Sequence, residues 1–423
     1  MTTAVTGEPR LHYMDNLRAL AMLAGVLFHA GLAYSVLLHG FWPTADAGQS
    51  IGVDVVAWFS HLFRMPLFFV VAGFFAALLV DKRGIGGMLR NRFTRVLVPF
   101  IVFWPIVYLA MGWLIVHAAA NVENLSPLLA FVKQWLAEPN RTQAPPTLMH
   151  LWFLPYLMCF CILVWVATAL EMKWLSRWFG RIRPGALIGF APLVLIPALV
   201  SVAAPMPAPE SFFPQWWALI FFGFYFTFGY QLFHHQLVID HLKPFAPLML
   251  LSAMAAYAFF FWLIQIESPD QPRPLLHVLQ TVLEAYAGFW MTVSCLIYWK
   301  KWINHSNRSL RYLADASYWV YIVHLPVLLA VQYRLMDVDT NWQAKFAISV
   351  VATLGISFVS YHLFVRNTVL GRLLNGARHN QPGPLINLTQ SLEPYSFSIK
   401  ERPASAQCFS TAAAKSYRQP SRK

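Results

Sequence analysis

Between residues 17 and 364 the sequence returns repeatedly to apolar runs of roughly twenty residues, the length a helix needs to cross the hydrocarbon core of a bilayer. Windows at 17–38, 53–80, 96–119, 148–170, 186–204, 216–233, 245–266, 275–299, 313–335 and 344–364 predict an all-α polytopic membrane protein, a bundle of about ten transmembrane helices. Pro192, Pro197 and the proline-rich stretch 205–214 interrupt the fifth and sixth windows. With 58% hydrophobic and only 12% charged residues, the chain lies outside the soluble range, where charged residues run near a quarter. The first run follows Arg10 and Arg18 as a signal peptide would, but its length and the similar runs after it argue for a retained span. Seventeen Trp, sixteen Tyr and thirty-four Phe suit a protein with two lipid–water interfaces to anchor.

A net charge of +13 would ordinarily raise nucleic acid as a partner. Here the basic residues sit in short loops between apolar runs, where they set topology instead. Loops 81–95, 171–185, 234–244 and 300–312 carry fourteen Lys or Arg, and the alternate loops carry four. Both termini are therefore expected in the cytoplasm, with residues 1–379 forming the membrane domain. From about 380 the chain turns polar, with Pro and Ser, and reads as a disordered basic cytoplasmic tail through residue 423. The four cysteines form no metal or disulfide pattern. His234, His235 and His241 lack carboxylate or thiol companions, so no metal site is expected.

Titratable side chains at membrane depth are costly and usually mark function. Arg18 and His29 are three helical turns apart, on one face and about 16 Å apart along the axis. The second run places Arg64 at its middle with His61 one turn away; the eighth carries His277, Gln280 and Glu284 as a polar stripe. The ninth carries Ser317, Tyr321 and His324 at i, i+4 and i+7. On this topology His29, Arg64, Glu284 and His324 converge at one depth from four helices. Packing histidines are the competing reading for His61 and His277, an ion pair with Arg64 for Glu284, and a local bond to Tyr321 for His324. Buried His, Arg and Glu also serve proton-coupled transporters, but those more often show a repeated architecture, and no convincing internal repeat is present here.

These residues carry a family resemblance. YMDNLRALAMLAGVLFH at 13–29, an Arg followed ten intervening residues later by His, resembles the signature of membrane-bound acyltransferase family 3. FRMPLFFVVAGF at 63–74 is similar to its second-helix motif, and RNRFTRVLVP at 90–99 to its Arg-x-x-Arg motif. HLWFL at 150–154 and ASYWVYIVH at 316–324 complete the set in the family's order. The FRM and HLWFL sequences look most like the branch that succinylates osmoregulated periplasmic glucans.

The resemblance implies a multi-pass protein of the bacterial inner membrane. It implies acyl transfer from cytoplasmic acyl-CoA, in this branch succinyl-CoA, to hydroxyls of a periplasmic carbohydrate, with no tightly bound cofactor. Another cell-surface polysaccharide or a lipid-linked sugar is the alternative acceptor. Carried over residue by residue, His29 becomes the general base or acyl-carrying nucleophile. Arg18, Asp15 and His324 join it in the catalytic set, with Asp15 orienting Arg18, and Glu284 is added from its depth in the eighth run, outside the motifs. Arg92 and Arg95 become ligands for the coenzyme A phosphates, where residues alone would equally suggest positive-inside anchoring. Arg64 either reads the distal carboxylate of the acyl group or pairs with Glu284. His150 and Trp152 are expected to meet the acceptor, an interfacial Trp being the alternative.

Overall fold

A computed structural model describes residues 12–142, 145–266, 273–305 and 307–375. The expected tail at 380–423 lies outside the described residues. Among those described the fold is all-helical. The helices are α1 (His12–Leu32), α2 (Ile51–Arg92), α3 (Val98–Asn121), α4 (Pro127–Ala137) and α5 (Phe153–Ala169). Then come α6 (Lys173–Phe179), α7 (Pro184–Phe190), α8 (Ile196–Leu199), α9 (Trp216–His234) and α10 (Leu237–Leu242). The chain continues through α11 (Ala246–Ile266), α12 (Pro274–Trp302), α13 (Arg308–Met336), α14 (Trp342–Ser360) and α15 (Val369–Asn375).

Six helical stretches are long and apolar enough to cross a membrane, and the bent pair Lys173–Phe179 and Pro184–Leu199 makes a seventh if taken as one span. The first of the six, Ile51–Asn121, contains two of the expected spans. Helices α1 and α9 sit where spans were expected but fall outside this set, α1 because it carries Asp15, Asn16, Arg18 and His29. Large apolar side chains on the outer faces, such as Leu109, Trp113, Leu251 and Val351, are more than three-fifths exposed. That is the surface of a multi-pass membrane protein.

Two expectations are revised. The window 186–204 is not one helix: α7, a 3₁₀ turn over Ala191–Val194 and α8 replace it, bent 104° against α6. Pro192 and Pro197 remove backbone donors there and crowd the preceding turn. The basic loop 81–95 is also largely helical. Helix α2 runs on to Arg92 through a kink at Gly84, whose φ of 68° suits glycine, and a π-helical turn over Phe93–Leu97 leads into α3.

The core forms where α2 crosses α9. A Cβ at Gly73 would stand 1.9 Å from the Phe226 carbonyl oxygen, and one at Gly229 would stand 1.9 Å from that of Val70. Backbone thus meets backbone, the close approach that small residues permit between membrane helices. Around it Phe69 packs on Phe153 and Phe222, each at 4.7 Å between ring centres. This contact fixes the α2 face that carries Arg64.

Segment 33–50 is fastened over the end of α1. Buried Asp54 accepts from the Ser35 hydroxyl and, at 2.8 Å, from the Val36 N–H. The Thr44 hydroxyl donates to Gln332 at 2.7 Å, and Gln332 donates to the Ala30 carbonyl at 3.0 Å. Asp46 and Lys345 form a buried ion pair at 2.7 Å. Together these hold Trp42 against the site described next.

Candidate active site

Helices α1, α2, α3, α5, α13 and α15 and three connecting segments, at 42–43, 147–152 and 208–210, line a cavity of about 620 Å³. Of the residues singled out from sequence, Arg18, His29, Arg64, Arg92, Arg95, His150, Trp152 and His324 line it. Asp15 and Glu284 do not.

At one end stand Arg18, Arg92 and Arg95, with Asn91 and Asn375 beside them. Arg18 donates to the Ala314 carbonyl at 3.1 Å and reaches Asp15 at 3.8 Å, so Asp15 orients the guanidinium from outside the cavity. Among the described residues its Nε has no partner, and neither do Nε and Nη2 of Arg92. Buried guanidinium N–H groups without acceptors are costly unless a ligand supplies them, and phosphate oxygens match their forked geometry.

Eleven residues along α1 from Arg18 comes a histidine pair. His29 Nδ1 lies 3.0 Å from His324 Nε2. On the other side of its ring, His324 Nδ1 faces the carbonyl oxygens of Tyr321 at 2.9 Å and Val320 at 3.1 Å. Carbonyls only accept, so these partners assign the proton of neutral His324 to Nδ1 and leave Nε2 as an acceptor. His29 must then donate from Nδ1, and its Nε2 carries the free lone pair. Two backbone carbonyls therefore choose the reactive tautomer of His29 through one intervening ring. Trp42 stacks on His29, with ring centres 6.1 Å apart and planes 3° apart.

The expected bond from His324 to Tyr321 is present, but to the backbone; the Tyr321 hydroxyl donates instead to the His150 carbonyl at 2.7 Å. His150 Nε2 sits 3.2 Å from the carbonyls of both Tyr321 and Ile322. Pro326, four residues after Ile322, has no N–H to give that carbonyl, so the His150 ring supplies the donor. His150 thus braces the α13 turn that orients His324, with ring centres 5.2 Å apart. Trp152 packs on Phe222 at 5.0 Å and is 6% exposed. Both residues form part of the cavity wall.

Arg64 is 5% exposed, stands 4.0 Å over the Phe28 ring and, among the described residues, donates one hydrogen bond, to Ser60 Oγ at 3.3 Å. No ion pair joins it to Glu284. Glu284 instead accepts the Met206 N–H at 2.8 Å, and the Met206 carbonyl lies 2.8 Å from His61 Nε2. The convergence of four helices therefore holds for His29, Arg64 and His324 but not for Glu284, which fastens the loop after α8. His61 is a cavity residue that fastens the same loop, and His277 bonds the Val200 carbonyl at 3.1 Å. Trp42 and Glu210, both on the cavity wall, were not anticipated, because each lies in a loop with no periodicity to mark its facing.

Comparison with known proteins places this geometry in context. The model of the family described as "Acyltransferase domain" matches residues 11–362. The chain is 24% identical over 391 residues to the glucans biosynthesis protein C of Escherichia coli, across 89% of this chain and 98% of that one. To the protein of the same name from Salmonella schwarzengrund it is 25% identical over 382 residues, across 87% of this chain and 95% of that one. No solved structure matches.

Proposed function

This chain belongs to the acyltransferase family and is an acyltransferase, and from that premise we propose that it moves a succinyl group from acyl-CoA through the membrane to a hydroxyl of a glucan. The observation that carries the reading is the free Nε2 of His29, held between an arginine-lined entrance and an unpaired buried arginine in one cavity. The glucan acceptor rests on the relatives' name. The cytoplasmic placing of the arginine end, the ten spans and the bacterial inner membrane rest on the loop-charge asymmetry and the family resemblance.

Arg18, Arg92 and Arg95 hold the coenzyme A phosphates at the cytoplasmic end, with the thioester directed along α1 toward His29. In the direct route His29 Nε2 takes the proton of the acceptor hydroxyl while its oxygen attacks the thioester carbonyl. The C–S bond breaks, and the proton passes from His29 to the departing thiolate. In the two-step route the same lone pair attacks the carbonyl, the C–S bond breaks and coenzyme A leaves as the thiolate; the sugar oxygen then takes the acyl group from Nε2, and its hydroxyl proton is released to solvent, balancing the thiolate. Both routes need the tautomer that His324 enforces, because either way Nδ1–H must have an acceptor while Nε2 becomes bonded.

Arg64 supports an acyl group that carries a carboxylate. A guanidinium buried in the wall without a carboxylate is matched by a substrate that brings one, and succinyl differs from acetyl by that group. The test is donor preference in membranes given succinyl-CoA or acetyl-CoA with a gluco-oligosaccharide. The wild type should prefer succinyl-CoA, and Arg64→Gln should lower succinyl transfer by about one to two orders of magnitude while sparing acetyl transfer. Equal loss with both donors would refute the carboxylate-reading role.

A further inference from the structure

One carboxylate on the cavity wall is not used by this chemistry. Glu210 lines the cavity, and among the described residues its side chain makes no hydrogen bond or ion pair. Burial pushes its carboxyl above the usual range. It lies in the 200–215 loop, where Pro205, Pro207, Pro209 and Pro214 fix the backbone φ at four positions.

That loop is fastened at both sides of the histidine pair. At Met206 the N–H is held by Glu284 and the carbonyl by His61, whose ring stacks 5.6 Å from Phe28, the neighbour of His29. At Glu210 itself the carbonyl accepts the Leu148 N–H at 2.7 Å. Two residues on from Leu148 is His150, which braces His324. The backbone that carries Glu210 is therefore tied to the elements around the histidine pair, and its side chain lines the same cavity as His29.

We propose that Glu210 is the acceptor-holding residue: its carboxylate takes hydrogen bonds from hydroxyls of a neutral, polyhydroxylated sugar and turns the reacting hydroxyl toward His29. The assignment rests on the acyl-transfer reading above. A carboxylate has only acceptors to offer, and neighbouring hydroxyls of a sugar are a pair of donors with nothing to repel. Arg64 and Glu210, neither in an ion pair among the described residues, then sort the two substrates by charge. The anionic acyl tail goes to the guanidinium, and the neutral polyol goes to the carboxylate. An acceptor carrying phosphate near the reacting hydroxyl is disfavoured by the same carboxylate.

The experiment uses the full-length protein in lipid nanodiscs with a short β-linked gluco-oligosaccharide and succinyl-CoA as probes. Glu210→Gln keeps the shape and removes the charge. It should raise the oligosaccharide KM and weaken its direct binding by about tenfold, the cost of a lost charge-assisted hydrogen bond, while the acyl-CoA KM stays within about twofold. His29→Ala should still bind the oligosaccharide with wild-type affinity, separating holding from chemistry. Unchanged oligosaccharide binding in Glu210→Gln, or an equal rise in both KM values, would overturn the role of Glu210 alone. A wild-type protein that transfers succinyl to water but neither binds nor uses the oligosaccharide would overturn the glucan reading, and this proposal with it. Tighter binding of an amino-substituted oligosaccharide than of the neutral one would overturn the hydroxyl assignment.

Discussion

The two ends of the cavity reached by α1 are built on opposite principles. Around Arg18 and Arg92, guanidinium nitrogens are buried without acceptors, so the site is incomplete until an anion arrives. Around His29, one nitrogen of each ring is already held: carbonyls fix His324, His324 fixes His29, and His150 braces the turn beneath them. The first arrangement binds through unmet charge and tolerates some imprecision. The second sets a tautomer before substrate arrives, and it depends on positions to within a few tenths of an ångström. Binding and chemistry are thus separable in this molecule, eleven residues apart on one helix.

The sharpest break in the comparison is His29→Ala. Transfer should fall by about 10²–10⁴-fold while insertion and acyl-CoA affinity are retained, because the arginine end is untouched. Next come Arg92→Ala and Arg95→Ala. Each should raise the acyl-CoA KM by about tenfold and leave the acceptor KM unchanged, the larger effect falling on Arg92, which is the more deeply placed. A raised acceptor KM with an unchanged acyl-CoA KM would refute their assignment.

The smallest effect is a control on the outer surface. The Asn124 and Glu123 N–H groups hold the Asp337 carboxyl below its usual range. Its folded-state pKa is lowered, so its contribution is present above the unfolded value and is lost as pH falls through the folded one. The group is almost fully exposed, and screening keeps the contribution below about 1 kcal/mol. Asp337→Asn should therefore slightly flatten thermal stability between about pH 4 and the acid limit, with transfer unchanged. A loss of transfer would mean that the surface and the cavity are coupled.

Much of the site was legible because lipid makes ionisable residues conspicuous. Arg18, His29, Arg64 and His324 stand out against apolar runs, and helical spacing gives their facing directly. Glu284 shows the limit of that signal. A carboxylate inside a helix has the same spacing whether it meets a guanidinium or a backbone N–H, and the path of the loop carrying Met206 is not periodic. Glu210 and Trp42 were missed for the same reason, since polar and aromatic residues are common in loops and nothing in order alone tells which ones turn inward. His150 was recognised as a site residue, but its bracing of α13 was not foreseen. Its partner is a carbonyl freed by Pro326, a defect visible in sequence only once the two helices are known to touch.

The central claim is that backbone carbonyls prepare His29 through His324, and one pair of variants tests it most directly. Steady-state transfer would be measured for His324→Ala and His324→Gln, with acyl-CoA binding as the common reference. Gln can place an amide oxygen where Nε2 stood and accept the His29 Nδ1–H; Ala leaves that proton without a partner and frees the tautomer. The account predicts a loss of at least about tenfold in His324→Ala that His324→Gln largely restores, with acyl-CoA affinity equal in both. Equal activity in wild type, His324→Ala and His324→Gln would contradict it.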